Sequence, residues 1–174
     1  MANHRAEFDQ WLPVPIERLF LFFANPANLP PIMPHSMRTE LVQVKLLPPP
    51  GIRFGKSTVT TETPLAGVGS EIVTRFRFVP FLPFTADWIA LITDFQWNEY
   101  FQDVQKQGPF KSFVHRHEMS TEARNDVVGT VVRDRIEYEV GFGILGEIAN
   151  ALFVRRQFEN IFRHRQTAVA ELVK

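Results

Sequence analysis

The sequence predicts an α+β fold, in which a curved antiparallel sheet wraps around one long C-terminal helix. Strand-like segments separated by turn signals fill most of the chain between residues 70 and 140. Two short helical segments follow the first strand, and the end of the chain carries apolar residues at three- and four-residue spacing. Consecutive hairpins followed by a single helix are typical of α+β proteins and not of parallel α/β sheets.

The first elements are a strand and two short helices. The apolar-rich segment Glu7–Leu12 predicts an edge strand. Helical spacing of apolar residues over Ile16–Phe23 predicts a helix that ends before Pro26, because the residue preceding a proline is pushed out of the helical region. Asn28 is the predicted N-cap of a second short helical turn, so the two helices would form a V.

The sheet is predicted from segments rich in β-branched and aromatic residues with a period of two. These strands cover Met37–Leu47, Ser70–Val79, Phe84–Trp97, Tyr100–Lys106, Lys111–Met119 and Val127–Val140. Turns are predicted at Pro80–Pro83, Asn98–Glu99, Gly108–Pro109 and Asn125–Asp126. Residues 48–69 show no clear periodicity and predict a long loop, either a mobile surface loop or the rim of a pocket.

The chain ends in a long amphipathic helix that follows Gly141–Gly143. Its predicted inward stripe is Leu145, Ile148, Leu152, Ile161, Phe162, Ala168, Val169 and Leu172. A curved sheet is the natural partner for this stripe, and such a grip leaves a space between sheet and helix. The arginines of the helix are predicted to lie on its solvated face, with a phosphate- or partner-binding patch as the alternative; they are Arg155, Arg156, Arg163 and Arg165.

Composition excludes several classes of protein. The chain has 174 residues, predicted to form a single domain over 1–174, with 19 basic and 19 acidic residues, so no net charge favours nucleic acid. The absence of cysteine excludes disulfide frameworks, thiolate zinc sites and cysteine nucleophiles. The longest apolar run, Leu19–Ala24, is too short to span a bilayer, and the polar residues 1–7 are not expected to begin a signal peptide because they contain no apolar h-region. We therefore expect a cytoplasmic protein without integral membrane association. The unusual feature is its 17 Phe.

Several sequence blocks resemble the helix-grip superfamily of START-like and Bet v 1-like (SRPBCC) proteins, more narrowly the polyketide cyclase/dehydrase and coenzyme Q-binding branch. The blocks cover most of the chain in the expected order. They are Trp11–Glu17 with Phe20, Asn25–Leu29, Phe101–Gln105, Gly108–Phe110, His115–His117, Asp134 with Tyr138, and Gly141–Gly143. The resemblance implies a seven-stranded sheet, two small helices and a C-terminal helix around an apolar cavity. Members bind lipids, quinones, polyketides or hormones, and they share no universal catalytic motif.

Strand alternation assigns a set of candidate polar residues to the inward face. Each shares a face with apolar or aromatic neighbours on its own strand. They are Asp103, His115, His117 and Asp134. Buried polar groups are costly unless they are paired, so these side chains are expected to meet one another or a ligand.

Three interpretations of this polar set stay open. It could be a structural His–Asp network that fixes strand register. It could be the polar end of a lipophilic cavity, donating hydrogen bonds to a ligand carbonyl or hydroxyl. It could also act in chemistry, either as a general base on an enolisable ketone or as ligands of a divalent ion. No phosphate-binding loop, dinucleotide fingerprint, zinc-protease motif or nucleophile elbow is present in the sequence.

The aromatic residues on inward faces allow two interpretations, a filled core or a cavity lined by Phe. Phe rings supply apolar surface without needing a hydrogen-bond partner, and they suit a flat apolar ligand. Together with the polar set, the predicted ligand-binding residues are Phe76, Phe78, Trp88, Phe101, Asp103, Phe113, His115, His117, Asp134, Tyr138 and Phe162.

The predicted function is the binding, or transport, of a hydrophobic small molecule such as a lipid, quinone or polyketide. One alternative is a polyketide cyclase/dehydratase-type enzyme with His115, His117 and Asp134 as its acid–base groups. Another is a protein-interaction module. We expect no cofactor, no metal and no nucleic acid as partner, while a weak homo-oligomer is left open.

Overall fold

The computed structural model describes residues 3–49, 51–54, 57–59, 64–78 and 84–174, with only the backbone of 52–54 and 57–59. Across these ranges the chain forms a seven-stranded antiparallel sheet, short helical segments after the first strand and a C-terminal helix of 30 residues. The predicted α+β fold is thereby confirmed. The predicted turn at Pro80–Pro83 lies outside the described residues, as do 50, 55–56 and 60–63 of the predicted loop.

The elements follow one another in this order. Strand β1 (His4–Leu12) precedes helix α1 (Ile16–Ala24), three 3₁₀ turns (Pro26–Asn28, Pro30–Ile32 and His35–Met37) and strand β2 (Glu40–Lys45). Then come strands β3 (Ile52–Phe54), β4 (Ser57–Val59), β5 (Glu71–Phe76), β6 (Ala86–Gln96), β7 (Tyr100–Gln107), β8 (Ser112–Arg124) and β9 (Val127–Glu139). The final helix comprises α2 (Gly143–Ala149), a π turn (Asn150–Val154) and α3 (Arg155–Leu172).

The large sheet has the order β1-β9-β8-β7-β6-β5-β2, so β1 is an edge strand as predicted. Each neighbouring pair is antiparallel. Strands β3 and β4 pair with each other within residues 48–69, a segment that the sequence predicts as a loop. Three residues per strand are too few for a period-two pattern to be visible in the sequence.

The turn after α1 is capped by Asn25, so the prediction of Asn28 as the cap was wrong. The Asn25 side chain accepts a hydrogen bond from the backbone N–H of Ala27 at 3.0 Å. Pro26 places Asn25 in an extended conformation, which is the usual backbone conformation of an N-cap residue. The Asn28 side chain instead donates to the Phe22 carbonyl at 2.8 Å and ties the turn to α1.

Strands β8 and β9 form the longest hairpin and carry the polar candidates. Asn125 and Asp126 join them with φ of 48° and 62°. Two successive residues with positive φ are typical of a type I′ turn, whose twist matches that of the strands. Asn and Asp tolerate this conformation better than other side chains. The tight turn fixes the register of the whole pair, including His117 opposite Asp134.

The final helix buries a different line of residues from the predicted one. Ile161, Phe162 and Val169 are buried, as predicted. Leu145 and Leu152 are 74% and 75% exposed, and Ile148 and Leu172 are also exposed, so the predicted stripe was wrong at these four positions.

The phase of the helix explains this difference. The buried line of α3 begins at Phe158 and continues through Ile161, Phe162, Arg165 and Val169. At about 100° per residue, Leu145, Ile148 and Leu152 lie roughly a third of a turn away from this line. The wider π turn carries them farther out. The buried positions in the first half are Gly146, Asn150 and Val154.

The start of the final helix is tied to the sheet by polar contacts. The Tyr138 hydroxyl donates to Asn150 Oδ1 at 2.7 Å, and Asn150 Nδ2 lies 3.1 Å from His4 Nδ1. The other ring nitrogen of His4 lies 3.1 Å from Glu147 Oε2. Farther along, the apolar line of α3 packs into the concave face of the sheet. No helix in the described part of the chain is long and apolar enough to cross a bilayer.

A substitution at Gly129 would test how closely β9 packs against the edge strand β1. A Cβ atom at Gly129 would collide with the Leu12 carbonyl oxygen and come within 2.7 Å of the Trp11 ring. We expect Gly129→Ala to lower the free energy of unfolding by about 1–3 kcal/mol, the usual cost of overpacking. Chemical denaturation measures this effect. Gly141→Ala is the matched control, since nothing lies within 4 Å of its Cβ position. Equal stability of the two variants would contradict the packing described.

Candidate functional site

A cavity of about 190 Å³ lies between the concave face of the sheet, α1, the 3₁₀ turns and α3. Most of its wall is apolar, with aromatic rings from β5, β6, β7, β8 and α3. Polar residues are the minority, and they are Asn25, Asn28, Thr39, Thr74, Asp103, His115, His117 and Arg165. This composition, apolar walls with a few convergent polar groups, is typical of small-molecule sites.

Two rows of residues across the sheet bring the polar side chains together. In one row Phe101 on β7 lies opposite His117 on β8, which lies opposite Asp134 on β9. In the next row Asp103 lies opposite His115. Because side chains alternate between the faces of a sheet, the i, i+2 spacing of the two histidines keeps both on the concave side.

Asp134 is the hub of this cluster. His115 Nε2 lies 3.0 Å from its Oδ1 atom, and His117 Nδ1 lies 2.6 Å from the same oxygen. The two imidazole rings have centroids 3.9 Å apart, and the ring of His117 stacks on that of Phe101 at 4.3 Å. All three members of the hub are buried.

Burial and neighbouring charges push the pKa values of the cluster apart. Burial lowers the pKa of His117 to about 3, with His115 adding to the effect, so His117 is neutral at pH 7. Burial raises the pKa of Asp103, although the positive charge of Arg165 opposes it. Burial also acts to raise the pKa of Asp134, but Arg165 and the two histidines outweigh it and hold that pKa well below its usual range.

Arg165 is the main residue that sequence reasoning missed. It was predicted to lie on the solvated face with Arg155, Arg156 and Arg163, and those three are exposed. Arg165 is instead 8% exposed and lines the cavity. The signal was available, since Arg165 follows Ile161 by four residues and precedes Val169 by four, in the middle of the buried line.

Apart from His117 Nδ1, which lies 2.6 Å from the Asp134 carboxylate, two buried polar atoms of cavity-lining residues have no hydrogen-bond partner among the described residues. One is Nε of Arg165 and the other is Oγ1 of Thr39. Buried donors are almost always paired in folded proteins, so unpaired ones in a cavity wall need an explanation.

The structure places the predicted residues in two groups. Those that line the cavity are Phe76, Phe78, Trp88, Phe101, Asp103, Phe113, His115, His117 and Phe162. Asp134 does not line it and stands behind the two histidines. Tyr138 does not line it either, because its hydroxyl is bonded to Asn150 and its ring packs on Phe158 at 5.0 Å.

The aromatic rings both border the cavity and pack against one another. Trp88 meets Phe113 edge to face at 4.6 Å, and Phe110 lies near both. Phe110 was missed because it follows the Gly108–Pro109 turn signal. Gln105 folds it inward by bonding to both its N–H and its carbonyl.

Asp103, His115 and His117 also place potential metal-ligating atoms within 4.8 Å of one another. One nitrogen of each histidine lies against Asp134, which leaves the other nitrogen as a ligand. Imidazole and carboxylate together are donors that divalent transition ions accept. The arrangement is chemically suited to such an ion, and the sequence-based expectation of no metal remains untested.

The pKa of His117 predicts how stability depends on pH. Between pH 3 and pH 6.5 the unfolded chain binds a proton at this residue and the folded chain does not, so acid favours unfolding. We expect the unfolding free energy of the native protein to rise with pH more steeply than that of His117→Gln, by up to about 1.4 kcal/mol per pH unit between about pH 4 and 6. Denaturation at a series of pH values measures the difference.

The control for this measurement is His35→Gln, because His35 is exposed. Its stability should follow the native pH dependence. The difference between native protein and His117→Gln should level off above about pH 7. Parallel curves for these two proteins across the acid range would refute the assignment of a neutral, buried His117.

No protein-family model matches the sequence, and a search of curated proteins finds no match. Solved structures are similar over nearly the whole chain. A START superfamily protein from Mycobacterium smegmatis aligns with a TM-score of 0.64 at 12% identity, covering 98% of this chain and 97% of that one. TTHA0849 from Thermus thermophilus aligns with a TM-score of 0.62 at 15% identity, covering 98% and 97%.

Ara h 8.0201 is also similar, with a TM-score of 0.54 at 13% identity and coverage of 98% of this chain and 99% of that chain. At such identities the likeness concerns the fold alone. It agrees with the strand order, the short helices after β1 and the long terminal helix described above. The chain therefore has the helix-grip fold of START-like and Bet v 1-like proteins.

Proposed function

We propose that the protein binds a hydrophobic small molecule in the cavity between the sheet and the final helix. The observation that carries this proposal is the composition of the wall, in which aromatic and aliphatic side chains enclose the space and polar groups converge from His115, His117, Asp103 and Arg165. Moving an apolar guest from water into a cavity of this kind is favourable, because apolar surface of both the guest and the wall is removed from water.

The size of the cavity favours a compact guest. An apolar cavity of about 150 Å³ holds a molecule of benzene, so about 190 Å³ suits one or two fused rings or a short branched chain. A quinone or the ring of a polyketide falls in this range, as does part of a lipid. The resemblance to the polyketide cyclase and coenzyme Q-binding branch supports the same ligand classes.

We propose that the protein is cytoplasmic, that it does not bind nucleic acid and that it is not an integral membrane protein. Its zero net charge and the absence of cysteine support this proposal. A weak homo-oligomer is compatible with this proposal.

Filling the cavity should weaken the binding of an apolar guest. Ala90 on β6 lines the wall, so Ala90→Phe would place a phenyl ring in the space of the guest. We expect the affinity for 2-methylnaphthalene, measured by NMR titration, to fall by about tenfold or more. Any lipophilic molecule that co-purifies with the native protein, seen by native mass spectrometry and removed by extraction, should be absent from this variant.

Ala123→Phe is the matched control, because Ala123 is exposed near the far end of the β8–β9 hairpin. It should bind like the native protein, and near-ultraviolet circular dichroism should show that both variants fold. The proposal fails if the native protein binds no apolar probe or if Ala90→Phe, folded, binds as well as the native protein.

A second candidate function is that of a polyketide cyclase/dehydratase-type enzyme. The observation that favours it is the fixed orientation of His115 and His117 by one carboxylate, as general bases are oriented by a buried acid in other enzymes. His117 is a weak base at neutral pH because its pKa is about 3. The role of base toward an enolisable ketone therefore falls to His115, with the second nitrogen of its ring.

This candidate is tested by the exchange of the methyl protons of 2-acetylnaphthalene in D₂O, followed by NMR. Base catalysis breaks a C–H bond to form the enolate and moves the proton to the imidazole. We expect His115→Gln to slow the exchange by about 10²–10⁴-fold while 2-methylnaphthalene still binds, and His117→Gln to slow it less. Exchange no faster than in buffer, or an undiminished rate in His115→Gln, would exclude this role.

A further inference from the structure

The burial of Arg165 bears on the chemical class of the guest, and this inference rests on the proposed function. A guanidinium group is permanently charged and carries only hydrogen-bond donors. Within residues 3–49, 64–78 and 84–174, Arg165 forms no hydrogen bond and no ion pair, and its Nε–H is enclosed. A buried N–H donor without an acceptor is costly, so this one requires a hydrogen-bond acceptor.

The carboxyl groups nearest to Arg165 interact with its charge but accept none of its hydrogen bonds. No carboxylate oxygen of a described residue lies within 4.0 Å of its nitrogens. Asp134 is engaged through Oδ1 with His115 and His117. Burial raises the pKa of Asp103, which favours the neutral form of its carboxyl group. The guanidinium thus keeps its hydrogen-bond donors available for another acceptor.

The guanidinium of Arg165 belongs to the cavity wall and lies near two aromatic rings. It lies 5.2 Å from the ring centroid of Phe23 and 5.4 Å from that of Phe162, within the range of cation–π attraction. Aromatic rings attract the flat cation, but they are weak acceptors for its N–H hydrogen bonds. The edges of a guanidinium match a carboxylate, which they bind through two parallel hydrogen bonds.

The rest of the wall specifies the remainder of the guest. Away from Arg165 the cavity is lined by rings such as Phe76, Phe78 and Trp88, which offer no charge. We propose that the guest is an amphipathic acid, with a compact hydrophobic body among these rings and a carboxylate that accepts hydrogen bonds from Arg165.

The experiment compares three probes that share one body and differ in their polar group. They are 2-naphthoate, its methyl ester and 2-methylnaphthalene, titrated at pH 7 into the native protein and into Arg165→Met, Arg165→Lys and Arg163→Met. Met keeps the length and the apolar stem, Lys keeps the charge, and Arg163 is an exposed arginine of the same helix.

We expect the native protein and Arg163→Met to bind the acid about tenfold or more tightly than the ester. Arg165→Met should lose this preference while it binds 2-methylnaphthalene at least as well, and Arg165→Lys should keep part of it. Binding of hydrocarbon and ester without preference for the acid, or an unchanged preference in Arg165→Met, overturns this inference and leaves the proposed function intact. No binding of any probe to the native protein overturns both.

Discussion

The buried carboxylate of Asp134 is the interaction on which the polar end of the cavity depends. Asp134 lies on β9, and its Oδ1 atom contacts one ring nitrogen of each of two histidines on β8. A buried carboxylate is costly unless hydrogen bonds and opposite charge compensate it. The histidines supply the hydrogen bonds, and Arg165 from the final helix supplies the opposite charge. Charge therefore couples the helix to the sheet in addition to apolar packing.

The phenylalanines create the surroundings in which this charge network is effective. Phe101 stacks on His117, and Phe113 and Phe162 meet His115 edge to face at 6.2 and 5.8 Å. These rings exclude water without offering donors or acceptors that would compete for Asp134. Electrostatic interactions are stronger where water is excluded. The high Phe content of the chain is thus connected with its polar cluster, since the same side chains wall the cavity and insulate its charges.

The sequence was sufficient for the features that depend on local periodicity. A period of two along β8 and β9 predicted the inward direction of His115, His117 and Asp134, because a strand turns each side chain by half a turn. It was not sufficient for Arg165, whose face depends on the phase of a helix that changes at a π turn. Nor could it show that Tyr138 is engaged with Asn150, because that pairing depends on where the helix docks. The fold itself was predictable because strands, turns and helix agree with one another along the chain.

The π turn at Asn150–Val154 has a consequence for how chains of different length can share this fold. Five residues in a π turn rotate the chain about as far as four residues in an α-helix, since each advances it less. A homologue that lacks one residue here would keep Gly146 on the inner side and the Phe158 line in place, with a regular helix throughout. A two-residue gap would instead bring Leu145 to the position of Gly146, where a Cβ atom would collide with the Gly141 carbonyl oxygen. Sequence alignments across this point should therefore tolerate a single gap and reject a double one.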